Sequence, residues 1–257
     1  MQEVEEGMDR YDFIRFETPE EGIAVVTLDR PERLNALNGR TIRELRDAVA
    51  RIEGDDSIRV WLLTGAPRPD GRPCFGGGVD RKCFSEGLDD GLLDGDRLTN
   101  SIEDMLKPSI AVVDGVCSTG SGELALACHL RLVGEQVRVS DWHLKNLGTG
   151  LGGWGASTRL ARLVGVQKAR EIILTGKEVG AEEAVRIGYA ISAHPSDGLM
   201  TAALEMARTI RGMAPEGVRL TLAHLGQASD LDRDRALRLA ELLPRWLGVD
   251  TGVAHKV

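Results

Sequence analysis

The sequence predicts an α/β fold with a mainly parallel sheet, and three features carry that prediction. Short apolar runs alternate with stretches of helical period, a glycine-rich segment follows two of those runs, and the last third of the chain reads as one helix after another. Residues 13–17 (FIRFE) and 23–28 (IAVVTL) flank the polar turn Glu20-Glu21-Gly22, the pattern of a hairpin. The Pro- and Asn-containing DRPERLNALN that follows is a loop. From Thr41 to Ile52 the spacing of Ile42, Leu45, Val49 and Ile52 puts four apolar side chains on one helical stripe, with Thr41 as N-cap. VWLLT (60–64) is continuously apolar, as expected of a strand buried on both faces.

The alternation continues through the glycine-rich FGGGVD (75–80), an acidic stretch from Asp89 to Asp96 expected to be a solvated loop, and a polar helical stretch reaching about Lys107. Residues 109–113 form the next buried strand, and Gly120-Ser121-Gly122 opens the helix ELALACHL. VRVSDW (137–142) reads as a short strand, followed by a glycine-dense loop from Gly148 to Gly155. Helices are expected over 158–164, 167–174, 181–187, 197–212, 215–226 and 230–247, broken at Gly165, Gly176, Gly188 and Pro195. This divides the chain into an α/β core over residues 1–195 and a helical region over 196–257.

Composition narrows the function. The 257 residues are 42% hydrophobic and 28% charged, enough for a large core in an ordinary globular chain. With 32 Lys+Arg against 40 Asp+Glu the net charge is −8, so neither nucleic acid nor an anionic membrane is expected as a partner. No apolar run nears the roughly 18 residues of a membrane helix, and the start MQEVEEGMDRYDF is acidic where a signal peptide is basic then apolar, so a cytoplasmic location is expected. Cys74, Cys83, Cys117 and Cys128 form no C-x-x-C pair and have no histidine at zinc-finger spacing. They are expected to be buried thiols, with no metal site.

The two glycine-rich segments are the first chemical signal. Gly120 precedes a helix that carries Glu123, so its amide lies at the positive end of the helix dipole. An amide from the turn Gly77-Gly78-Val79 beside it would complete a two-donor oxyanion hole, a device in which one donor is worth about 3 kcal/mol in a transition state. A dinucleotide-binding G-x-G-x-x-G with its ribose-binding acid is absent from the sequence.

Taken together, VTLDRPERLNALN (26–38), CFGGGVD (74–80), KPSIAVVDG (107–115), GSGELALAC (120–128) and GGWGASTRLARLVG (152–165) resemble the crotonase, or enoyl-CoA hydratase/isomerase, superfamily over roughly residues 11–250. The resemblance implies a ββα-repeat core, a helical C-terminal trimerisation region, and assembly as a homotrimer or homohexamer. It implies an acyl-CoA substrate, with CoA arriving as part of that substrate and no separate cofactor. Carried over position by position, the oxyanion amides are those of Val79 and Gly120. Arg33, Leu34 and Ala36 lie along the CoA, and the backbone of Gly76, Gly77 and Gly78 lines the adenine pocket. Asp80 and Trp154 complete the substrate-binding set, and the CoA phosphates are expected to rely on Arg30, Arg33 or Lys82. The family's final helix has no counterpart here, which implies a more open pocket or one closed by a neighbouring subunit.

Glu123 matches the first of the family's two catalytic glutamates. The second, in a P-E-x-x-L-G segment, has no glutamate to match it in Asp141-Trp142-His143-Leu144-Lys145-Asn146-Leu147-Gly148. Depending on the anchor, that position falls on His143, Leu144 or Lys145. His143 is the most useful of the three, because an imidazole exchanges protons near neutral pH. Simple enoyl-CoA hydration is therefore expected to be impaired, with isomerisation, hydrolysis, a C–C bond reaction or a non-catalytic CoA-binding role as alternatives. GGWGAS is also similar to the dihydroxynaphthoyl-CoA synthases, but their preceding aspartate is Leu151 here and Glu123 is an acid they generally lack.

Overall fold

Gly22, in the left-handed region at φ 77°, closes the first hairpin. It joins β1 (Ile14–Glu20) to β2 (Ile23–Leu28), which pair antiparallel with Ile14 opposite Leu28. The computed structural model describes residues 11–85 and 90–249; the acidic start, Asp89 and the C-terminal residues 250–257 lie outside them. From β2 onward the sheet is parallel through β3 (Val60–Gly65), β5 (Ser109–Val113), β7 (Leu130–Gly134) and β9 (Ser192–His194). Its strand order is β1-β2-β3-β5-β7-β9, with α1 (Gly39–Gly54) linking β2 to β3. A second, smaller sheet holds β4 (Cys74–Gly76), β6 (Val116–Ser118) and β8 (Arg138–Ser140), again parallel.

Long strand, short strand, helix is the repeating unit. β3 and β4 lead into α2 (Lys82–Ser85), α3 (Asp90–Leu93) and α4 (Gly95–Asp104). β5 and β6 lead into α5 (Thr119–Ala127), and β7 and β8 into α6 (His143–Leu147). This is the expected ββα core. The remaining helices are α7 (Ala156–Val164), α8 (Val166–Thr175), α9 (Ala181–Arg186), α10 (Leu199–Arg211), α11 (Pro215–Ala228) and α12 (Arg233–Trp246).

The large sheet is covered on both faces. Alternate residues of each strand point to opposite sides, so Trp61 and Leu63 join Ile42, Leu45, Val49 and Ile52 of α1 in one cluster. Val60 and Leu62 meet Leu199, Ala203 and Ala207 of α10 in the other. These four β3 side chains are fully buried, each aliphatic one worth about 1.5–3 kcal/mol of burial. Continuous apolarity in VWLLT is thus the consequence of two covered faces.

Several expectations are corrected. Asn38, not Thr41, caps α1: its Oδ1 accepts from the Thr41 N–H at 2.9 Å and the Thr41 hydroxyl at 3.0 Å, so the helix starts two residues earlier. The acidic stretch is not a solvated loop from residue 90 on. Leu92 is buried, Gly91 packs so closely on α1 that a Cβ would lie 2.4 Å from the Gly39 carbonyl oxygen, and Asp94 pairs with Arg46. Residues 143–147, for which no element was expected, form α6, ending at Gly148 in the left-handed region. Strand β9 interrupts the helical last third and pairs with β7. Cys74, Cys117 and Cys128 are buried free thiols and Cys83 is half-buried; burial pushes the Cys117 and Cys128 thiols up to about 12. Among the described residues no helix is long and apolar enough to cross a membrane.

Candidate active site

The three parallel strands of the small sheet lead into the loops that hold the candidate site residues. β4 runs into Gly77-Gly78-Val79, β6 into Thr119-Gly120, and β8 into Asp141-Trp142-His143. Carboxyl ends of parallel strands are where open α/β sheets place their ligand sites.

Loop 30–37 lies against the first turn. The Gly77 N–H donates to the Leu34 carbonyl and the Leu37 N–H to the Gly78 carbonyl, both at 2.8 Å. Leu34 and Asn35 both sit in the left-handed region, at φ 55° and 51°. That strain is held by Asn35, a buried polar residue whose role is invisible in sequence. Its amide donates to the carbonyls of Ala66 (2.8 Å) and Cys74 (3.0 Å) and its Oδ1 accepts from the Arg30 N–H (3.1 Å). Arg33 and Leu34 are exposed on this loop and Ala36 is half-buried. Arg30 is not free for a phosphate: its guanidinium donates to the Ala36 carbonyl (2.6 Å) and Asp80 (3.3 Å). Asp80 is likewise occupied internally, by Arg30 and the Lys82 N–H.

The turn 77–79 is fixed against the start of α5. Ser121, fully buried, accepts from the Gly78 N–H at 3.1 Å and lies where a Cβ on Gly76 would be, 2.3 Å from its Oγ. A Cβ on Gly78, itself at φ 93°, would fall 1.8 Å from Thr119 Oγ1. Leu37 bridges Val79 in parallel, bonding to Gly78 and Asp80 on either side, so the Val79 N–H points away from Leu37. Gly120 is beside it, since a Cβ there would be 3.1 Å from Val79 Cγ2. Ser118 occupies the N-cap of α5 but makes no cap; Ser140 donates to its hydroxyl at 3.1 Å instead. The first-turn amides of α5 therefore keep their donors unclaimed by a cap. Thr119 at φ 47° is a β-branched residue in the left-handed region, strain located at the site itself.

Glu123, 2% exposed, is gripped from two directions. Its Oε1 accepts from the backbone N–H groups of Trp154 (2.8 Å) and Ala156 (3.0 Å), and its Oε2 lies 3.4 Å from His143 Nε2. His143 Nδ1 meets Asp141 Oδ1 at 3.0 Å, and the His143 backbone N–H donates to the same oxygen at 3.0 Å. Of the three residues that could match the second acid position, His143 is the one that reaches Glu123. Leu144 lies beside Gly150, and Lys145 Nζ sits over the Trp142 ring at 5.1 Å. Asp141 and the two backbone donors were missed in the sequence. The available signal was an aspartate two residues before the histidine, within reach of its backbone.

Burial works against a charge on His143, but hydrogen bonds to Asp141 and Glu123 outweigh it and raise its pKa to about 9. A pKa of about 9 favours the protonated ring at neutral pH, set between the Asp141 and Glu123 side chains. A folded pKa above the unfolded 6.5 means that this contribution is complete below about pH 6.5 and lost as pH rises through 9. His143→Gln is expected to destabilise the protein by on the order of 3 kcal/mol at pH 6, with the gap closing toward pH 10. Melting temperatures of both proteins across that range check this; a gap that stays constant refutes it.

A ββα core with glycine-rich turns at the carboxyl ends of its short parallel strands is that of a crotonase-type α/β protein. The chain belongs to the enoyl-CoA hydratase/isomerase family, whose model matches residues 18–243. It is 34% identical over 221 residues to the short-chain-enoyl-CoA hydratase of Clostridium acetobutylicum, covering 84% of this chain and 82% of that protein. It is 31% identical over 226 residues to the crotonyl-CoA hydratase of Syntrophomonas wolfei, covering 86% and 84%. The enoyl-CoA hydratase structure from Bacillus anthracis matches with a TM-score of 0.85 at 26% identity, covering 91% of this chain and 90% of that one. A monofunctional enoyl-CoA isomerase from M. smegmatis matches with a TM-score of 0.74 at 30% identity, covering 88% and 98%.

Proposed function

We propose that the protein hydrates an enoyl-CoA, holding the thioester carbonyl oxygen between the Val79 and Gly120 amides and moving protons through Glu123 and His143. The observation that carries this reading is the 3.4 Å contact of His143 Nε2 with Glu123 Oε2, beside the paired glycine turns. Water adds to the β-carbon while the double-bond electrons move onto the carbonyl oxygen, where two amides and the α5 dipole stabilise them. Glu123 takes the proton of that water. The Glu123–His143 pair returns one proton to the α-carbon, so it ends as it began. Asp141 positions the imidazole and supports its charge. Exposed Arg33 and Leu34 and half-buried Ala36 suit the CoA chain, and no cofactor beyond the substrate's CoA is needed. Exposed Leu225, Leu237 and Trp246 on α11 and α12 support assembly as a homotrimer or homohexamer.

One feature favours isomerisation as a second reading. Glu123 and His143 are joined by one direct contact, an arrangement suited to lifting a single proton from one carbon and returning it to another. Turnover of crotonyl-CoA, followed by loss of the conjugated thioester absorbance, is expected for the wild type and falls by about 10²-fold in His143→Ala. A wild type inert on crotonyl-CoA that conjugates a 3-enoyl-CoA is an isomerase. One that does neither, and exchanges no α-proton of a bound acyl-CoA, refutes both readings.

A further inference from the structure

We infer that Trp154 is the end wall of the acyl site and restricts the protein to short acyl groups; this rests on the acyl-CoA reading above. The indole is buried and lies against Gly120 and Gly95. A Cβ on Gly95 would fall 2.0 Å from Trp154 Cε2, and one on Gly120 would fall 2.7 Å from its Cζ3. Neither glycine has the positive φ that would require it, so the ring itself accounts for the missing side chains. Val79 Cγ2 closes the same corner, 3.1 Å from the Gly120 Cβ position.

The backbone of the same residue is fixed from behind. The Trp154 N–H donates to Glu123 Oε1 at 2.8 Å, and its carbonyl accepts from the Thr99 hydroxyl at 3.0 Å and from Arg159. Arg159 is fixed in turn by Asn100 (2.6 Å) and Glu103 (2.8 Å). One residue therefore packs its ring on the glycine whose amide receives the carbonyl oxygen and binds, through its backbone, the carboxylate that acts at the neighbouring carbons. An acyl chain longer than a few carbons meets that ring, and its close packing on Gly95 and Gly120 leaves it little room to swing aside. The substrates this geometry admits are crotonyl-sized.

Binding of butyryl-CoA and octanoyl-CoA by calorimetry tests the wall without depending on which reaction is catalysed. The wild type is expected to favour butyryl-CoA, and Trp154→Ala to shift the affinity ratio toward octanoyl-CoA by about 10-fold or more, as a few methylenes entering an apolar space would give. Should Trp154→Ala fail to fold, Trp154→Phe decides by the same ratio, with a smaller shift in the same direction. Equal binding of the two esters by the wild type, or a ratio unmoved in the folded variant, overturns the wall and leaves the acyl-CoA reading standing. Absence of binding by any acyl-CoA overturns that reading and the wall with it.

Discussion

Glu123→Gln is expected to lower kcat/KM on crotonyl-CoA by about 10³-fold, within the range for losing a positioned acid/base, while leaving the fold intact. The amide has the shape of the carboxylate, and its oxygen can still accept from the Trp154 and Ala156 N–H groups that Glu123 Oε1 serves. The other end fares worse. Its NH2 would face His143 Nε2, which carries a proton in the resting imidazolium, so donor would meet donor where Oε2 now accepts. The variant thus removes the base and unseats its partner. Losing one of the two carboxylates that raise the His143 pKa also moves the alkaline loss of stability to lower pH, a second readout of the same contact. Turnover within a few-fold of wild type would show that the carboxylate is a structural clasp for loop 150–156 and that the proton travels elsewhere.

The parts of this site that the sequence made legible are those whose chemistry is local. Gly76–Val79 and Gly120–Glu123 announce themselves because backbone packed this closely tolerates no further side chain, and the gaps of 1.8 Å to Thr119 Oγ1 at Gly78 and 2.3 Å to Ser121 Oγ at Gly76 show how little room there is. The α1 stripe and the doubly buried β3 were equally plain, since periodicity follows burial. What stayed hidden is what only tertiary structure brings together. Strands β4, β6, β8 and β9 have three residues each, too few for an alternation to register. Glu123 is held by amides 31 and 33 positions away, and no side-chain pattern marks a backbone donor. Asp141 sits two residues from His143, yet its role exists only because the fold sets the His143 ring between Asp141 and Glu123 of α5. The acidic stretch misled because charge on Asp94 and Asp96 outweighed one buried leucine, Leu92, whose contact with α1 is not visible in sequence.

Gly120→Pro, measured against Gly120→Ala, isolates the oxyanion amide. Both variants add a Cβ at a point 2.7 Å from Trp154 Cζ3, so both disturb the indole and share whatever that costs. Proline also removes the N–H and crowds Thr119 in its left-handed conformation, a strain that the melting temperature reads separately. Helix formation is not the casualty, because Gly120 is the second residue of α5, where an amide has no intrahelical acceptor and proline is tolerated. Nor is a cap lost, since the Ser118 hydroxyl is engaged with Ser140 and takes nothing from that amide. The expected result is a folded Gly120→Pro whose kcat on crotonyl-CoA lies about 10²-fold or more below that of Gly120→Ala, the worth of one oxyanion donor. Comparable rates in the two variants, with circular dichroism and melting temperature preserved, would mean that the negative charge of the enolate never rests on this amide. The α5 dipole and the Val79 N–H would then have to carry it alone.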